Sequence, residues 1–256
     1  MSNIRTLKDL ESQPYQPFGV RGSYDNSGSG SSGAVTCLQT VFPGFKYKSF
    51  TFIATIVQVS IFILCEIYAW FLKEHASAYT CVLYKLGSKY TPAIVVNFHL
   101  HRLFLPIFLH GGFSHILFNM ISQWFYGFFL EDRYGTKRFV TLYLLAGVGG
   151  NLLSAAFRVY GTSIGASSSL FGLIAFQCAY LFENWDKLGP AKNRAVIWLA
   201  IILISNISNA TQNNNTDHHG HLGKHKLRRF IHVFVGGFII GALIAVQIIQ
   251  YEADSK

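Results

Sequence analysis

Carboxylates are scarce in this chain, close-set cysteine pairs are missing, and no long apolar run precedes residue 49. Asp and Glu number 12 against 21 Lys and Arg; charged residues make up 13% of the chain and hydrophobic ones 51%. A soluble core of this size carries more charge, so the composition argues against an ordinary soluble globule. The formal charge of +9 does not point to nucleic acid either, because Lys and Arg sit in short connectors between apolar runs and build no single basic face. Cys37, Cys65, Cys81 and Cys178 stand far apart with no CxxC, and Cys65 and Cys178 fall within apolar runs, which speaks against both a zinc site and a disulfide framework. The late start of the first apolar run excludes a signal-peptide pattern and makes that run a signal anchor that stays in the protein.

What is present is a series of apolar stretches of spanning length, roughly 17–25 residues each. They lie near 49–71, 107–130, 139–157, 168–182, 193–206 and 231–249, and predict an all-α membrane protein with six spans. Residues 1–48, rich in Gly, Ser, Pro and Asn, show no hydrophobic period and read as a disordered cytosolic tail. Residues 49–250 form the membrane domain, and 251–256 a short cytosolic tail. Between the first two spans, 73–105 is too polar to span and too apolar for a free loop, so it is expected to lie in the interface. Lys46 and Lys48, then Arg133, Lys137 and Arg138, then Lys187, Lys192 and Arg194 share one side of this topology. Positive residues favour the cytosol, which puts the N-terminus there.

With that orientation, the unusual polar residues converge at the start of the even-numbered spans. Span two opens with HGGFSHILFN, giving His110, His115 and Asn119, the last two sharing a helix face. Span four opens with GASSSLFG, placing Ser167 after Gly165 and Ala166, and DHHGHLG with His221 precedes span six. A serine in a span ordinarily packs or bonds its own helix backbone, and Ser167 to Ser169 with Gly172 also suit a close helix crossing. The two histidines also suit structural caps of span two. Imidazole, amide and hydroxyl from three spans at one depth are a functional-site hypothesis.

These residues carry a family resemblance. HRLFLPIFLHGGFSHILFN, LEDRYG with Glu131 and Gly135, GVGGNLLSA and GASSSLFGL occur in order, and from about residue 49 to 250 the chain resembles the rhomboid intramembrane serine proteases, most of all their apicomplexan-parasite branch. The resemblance implies a six-transmembrane-helix rhomboid bundle with an interfacial first loop. It implies Ser167 as nucleophile with a histidine base, Asn119 and His115 with the Ser167 N–H as oxyanion donors, His110 organising water at the cavity mouth, and Arg102 as anchor of the first loop. Gly165 lets backbones approach, and no cofactor is called for.

The last span departs from the family pattern of a His followed by Gly three and seven residues later. His221 stands in GHLG, but KHKLRRFIHVFVG at 224–236 intervenes before GFIIGALIA. Deletion of those residues leaves GHLGGFIIGALIA, so the stretch reads as an insertion. Its Lys224, Lys226, Arg228 and Arg229 are disfavoured on the exoplasmic side and in hydrocarbon. His232 has the better depth; at about 100° per residue, however, it lies about 140° from the Gly237 seam, against about 60° for a His three positions before it. Facing and local motif favour His221, with His232 as the alternative base.

His218, His219, His221 and His225 beside Asp217 follow the Asn-rich NATQNNNTD, which does not preorganise metal ligands, and no HExxH occurs on a span. A metal site is therefore not expected. The sequons at Asn206, Asn209 and Asn214 suit an exoplasmic loop. A transporter would need paired acidic residues, and Glu66 is the one carboxylate well inside a span. The expected partners are single-pass transmembrane proteins with helices weakened by small residues, together with membrane lipid. The parasite-branch resemblance implies shed surface adhesins. The non-enzyme alternative is a rhomboid pseudoprotease that binds membrane clients, and under either reading the expected location is the plasma membrane or the membrane of a secretory-pathway organelle. Removing residues 224–236 is expected to raise proteolysis and stability above those of the full chain, with His221→Ala then inactive. Equal activity of the two forms, lost only with His232→Ala, would make His232 the base.

Overall fold

The computed structural model describes residues 44–71, 75–157 and 162–183, with a few isolated positions on either side. The expected fifth and sixth spans, the insert 224–236, both candidate bases His221 and His232, and the histidine cluster and sequons lie outside the described residues. Within them the order is α1 (Phe50–Phe71), α2 (His75–Lys85), β1 (Lys89–Tyr90), α3 (Thr91–Asn97), α4 (His101–Phe104), a 3-10 turn (Leu105–Phe108), α5 (Phe113–Tyr134), α6 (Thr136–Phe157), β2 (Thr162–Ser163) and α7 (Ser167–Glu183). The chain is an integral membrane protein and mostly helical.

α1 and α6 are each long and apolar enough to cross a bilayer, and the segment His101–Phe108 with α5 forms a third candidate bent by 90°. This changes the expected second span, which begins at Phe113 and not near 107. Pro106 opens the 3-10 turn, so the chain turns sharply before α5, and His110 sits in the connection and not on the helix. α7 has 17 residues, about 26 Å at 1.5 Å per residue. It is buried along nearly its whole length, so its neighbours cover it where lipid would otherwise have to.

The start of α1 shows how helix ends are satisfied without water. Ser49 Oγ accepts the Phe52 N–H at 3.2 Å, while the Glu131 carboxylate accepts the N–H groups of Phe50 and Thr51 at 2.7 and 2.9 Å. It also accepts the hydroxyls of Thr51 and Thr136, each at 2.9 Å. A carboxylate from the end of α5 thus covers the electropositive start of α1 and ties in α6. Lys46 pairs with Asp132 at the same end. Phe42 and Phe45, inside the segment expected to be an unstructured tail, pack against Trp124, the former also on Phe125 and the latter on Phe128. Ordered chain therefore starts ahead of residue 49, because these rings cover the wide aromatic face of α5.

Deeper in, α1, α5 and α6 share a closed polar network. Gln58 Nε2 donates to the Ile107 carbonyl and to Tyr143 Oη, both at 3.1 Å. Tyr143 Oη donates to Gln123 Oε1 at 2.6 Å, and Gln123 Nε2 donates to Gln58 Oε1 at 2.9 Å and Thr55 Oγ1 at 3.0 Å. Every amide proton of both glutamines is used, as burial in apolar surroundings requires. Gly147 of α6 packs so closely on α7 and the 3-10 turn that a Cβ there would overlap Ser169 Oγ and Ile107. Small residues at such crossings let backbones meet.

Replacing Gln123 with Leu is expected to lower stability by about 2 kcal/mol, since three bonds go and buried partners are left unpaired. Thermal or denaturant unfolding in detergent measures it, and an unchanged midpoint would mean that the network carries no stability.

Candidate functional site

The end of the bundle opposite Glu131 gathers the starts of α5 and α7 with the first loop. Two contacts and a glycine build the turn before α7. β1 pairs antiparallel with β2, Lys89 opposite Ser163 and Tyr90 opposite Thr162. The Gly165 N–H donates to the Pro106 carbonyl at 2.8 Å. Gly165 itself has φ +115°, where a side chain is strained. A Cβ at this position would also lie 2.8 Å from His115 Cε1 and Nε2 and 3.8 Å from Ser167 Oγ. One point in space is therefore within reach of both the imidazole edge and the serine hydroxyl, and only a glycine leaves it open.

Ser167 is the first residue of α7 and half-buried; Ser168 and Ser169 are 1% and 0% exposed. Of the three serines expected at this turn, Ser167 alone retains access. His115, in the first turn of α5, is held by the Gly111 N–H, which donates to its Nδ1 at 3.2 Å. An accepting Nδ1 carries no proton, so the neutral ring has its proton on Nε2, the atom beside Gly165. Asn119 is buried on the same face, with Nδ2 donating to the His115 carbonyl at 2.7 Å, and its amide keeps a second N–H.

His110 is 1% exposed, its ring 5.4 Å from that of His115. Its carbonyl accepts the Tyr79 hydroxyl at 2.6 Å. Arg102 lies away from Ser167, within the first loop: Nη1 donates to the carbonyls of Tyr84 at 3.0 Å and Ser88 at 2.9 Å, and the guanidinium stacks 4.5 Å from the Tyr84 ring centre. Thus His115, Ser167 and Gly165 meet, His110 adjoins them, Asn119 follows one turn below, and Arg102 sits apart.

Two contributors escaped the sequence reading. Lys89 is 1% exposed, its ammonium donating to the carbonyl and hydroxyl of Ser154 at 3.2 and 3.3 Å, so a loop cation covers carbonyls in the last turn of α6. Tyr79 lies in the stretch 73–105, which its composition marks only as interfacial. A buried lysine in a loop leaves no periodic signal, and Tyr79 and His110 are separated by 31 positions. Gly165→Ala is expected to cost about 1–3 kcal/mol through backbone strain, with added overlap on His115. Unfolding in detergent reads this directly, and a variant as stable as the parent would show that the turn relaxes.

Comparison with known proteins identifies the chain's relatives. The family model for the rhomboid domain matches residues 97–251. The chain is 32% identical over 237 residues to rhomboid-like protease 1 of Toxoplasma gondii, covering 87% of this chain and 80% of that protein. It is 33% identical over 184 residues to rhomboid-like protease 3 of the same organism, covering 72% and 68%. Against the rhomboid protease GluP of Bacillus subtilis it is 29% identical over 198 residues, covering 77% of this chain and 35% of that one. With helices long and apolar enough to cross a bilayer and a family match over more than half its length, the chain belongs to the rhomboid family of intramembrane proteases.

Proposed function

We propose that the protein is an intramembrane serine endopeptidase that cleaves single-pass transmembrane proteins, with Ser167 as nucleophile and His221, or alternatively His232, as base. The observation that carries the reading is the shared approach of Ser167 Oγ and His115 Nε2 to the open position at Gly165. Ser167 Oγ attacks the scissile carbonyl carbon while its proton passes to the base. The tetrahedral oxyanion is met by N–H groups already in place: His115 Nε2–H, the free N–H of the Asn119 amide and the Ser167 backbone. Collapse breaks the C–N bond as the base returns the proton to the leaving amine, and water then hydrolyses the acyl-serine by the same steps in turn.

The substrate class follows from backbone chemistry. A hydrogen-bonded transmembrane helix hides its carbonyls, so a cleavable segment has small or Gly residues that let it unwind. The second reading is a catalytically impaired rhomboid that binds membrane clients. What favours it is the interruption of GHLG from GFIIGALIA by residues 224–236. Both readings keep the N-terminus cytosolic.

Ser167→Ala is expected to abolish cleavage of a transmembrane substrate in proteoliposomes without lowering protein yield, while Ser168→Ala retains most activity. A serine-directed isocoumarin is expected to label Ser167. Loss with Ser168→Ala alone would overturn the assignment, and a parent chain that neither cleaves nor labels would favour the client-binding reading.

A further inference from the structure

One peptide group links the first loop to the imidazole beside Ser167. The Tyr79 hydroxyl donates to the carbonyl oxygen of His110 at 2.6 Å, and the N–H of that same peptide, on Gly111, donates to His115 Nδ1 at 3.2 Å. The peptide is planar and conjugated, so a partner that fixes its carbonyl also fixes the direction of its N–H. A donor on the oxygen further polarises the N–H on the opposite side, because hydrogen bonds in series strengthen one another. Beyond His115 the series ends at Nε2, which lies 2.8 Å from the Cβ position of Gly165.

Tyr79 is placed to hold that carbonyl without moving. Like Ile61 and Ile164, it packs on a cluster of Cys65, Val82, Leu83 and Leu109, which draws on α1, α2 and the segment before α5. Burial, with smaller contributions from Glu66 and Cys65, raises the phenol above its ordinary value, and the hydroxyl stays a donor across the pH range in which proteins fold. Gly112, next to the linked peptide, has φ +143°. Neither Gly111 nor Gly112 has a side chain to hold the peptide in place.

We propose that Tyr79 is a positioning residue for His115: its hydroxyl orients the His110–Gly111 peptide, whose N–H keeps His115 Nδ1 an acceptor and the ring proton on Nε2, facing Ser167. The role rests on the reading of His115 as an oxyanion donor and extends it to the first loop. Without the Tyr79 hydroxyl, the peptide rotates, Nδ1 loses its donor, and His115 divides between two tautomers and more than one ring orientation. Substrate binding does not involve this bond, so the loss falls on the chemical step.

The test uses the full chain in proteoliposomes with a transmembrane substrate carrying a Gly–Ala cleavage segment. Tyr79→Phe is expected to lower kcat about tenfold, less than the roughly hundred- to thousandfold typical of removing an oxyanion donor outright, with KM and the unfolding midpoint little changed. In a His115→Ala background the same substitution is expected to have no further effect, since the group it positions is gone. The ¹⁵N spectrum of labelled histidine, with His115 assigned by its loss in His115→Ala, is expected to show a protonated Nε2 in the parent and mixed tautomers in Tyr79→Phe. An unchanged kcat and tautomer in Tyr79→Phe would overturn the proposal, as would an equal fall in both backgrounds, which marks a general loop defect. If His115→Ala itself leaves the rate intact, the oxyanion reading has failed instead. Should Tyr79→Phe not accumulate, 4-fluorophenylalanine at 79 fills the hydroxyl's space without its proton and is read by the same outcomes.

Discussion

Inside hydrocarbon a polar side chain has no water to turn to, and the pairing of Gln58, Gln123 and Tyr143 follows from that constraint. Each glutamine spends both amide protons and its oxygen, and the phenol both donates and accepts. The network has one bond that leaves the spanning helices, from Gln58 to the Ile107 carbonyl. That bond holds the 3-10 turn against α1, and on α6 Gly147 has no side chain to keep the turn away. The preceding carbonyl, on Pro106, accepts the Gly165 N–H. A structural network in the membrane interior is therefore two short steps from the turn that presents Ser167.

The first loop is the second support of the site, and its residues divide the work by chemistry. Arg102 gathers loop carbonyls of Tyr84 and Ser88, the task for which a planar, always-charged fork is suited. Lys89 reaches the end of α6, while its backbone pairs with the strand before α7. Tyr79 reaches the connection before α5. The loop is thus bonded to the segments that carry His115 and Ser167, and its amphipathic composition reflects polar groups turned inward to these bonds with apolar ones left exposed. Val95, Val96 and Phe98 are 64%, 74% and 79% exposed, as suits a loop beside lipid.

The starts and ends of α1, α6 and α7 were legible to within a few residues because each is a continuous apolar run bounded by Gly, Ser or charge. α5 was less so. Its expected start was about a turn and a half too early, since LPIF is as apolar as the helix that follows, and hydropathy does not register the turn imposed by Pro106. His115 and Asn119 were assigned to one face from their spacing alone, and Asn119 does bond the His115 carbonyl. The separation of His110 from the helix and the aromatic packing of Phe42 and Phe45 had no counterpart in periodicity.

By itself the sequence determined that the chain lives in a membrane, where α1, α6 and α7 run to within a few residues, and which polar residues are costly there, because hydropathy and motif order are local properties. Only the tertiary structure decided which serine keeps access, which nitrogen of His115 bears the proton, and that Tyr79, Lys89 and the two glutamines support the turn. The bonds by which Tyr79, Lys89 and Gln58 reach their partners join residues 31 to 85 positions apart. No local pattern encodes such pairs, since they are selected by the three-dimensional need to satisfy every buried donor and acceptor.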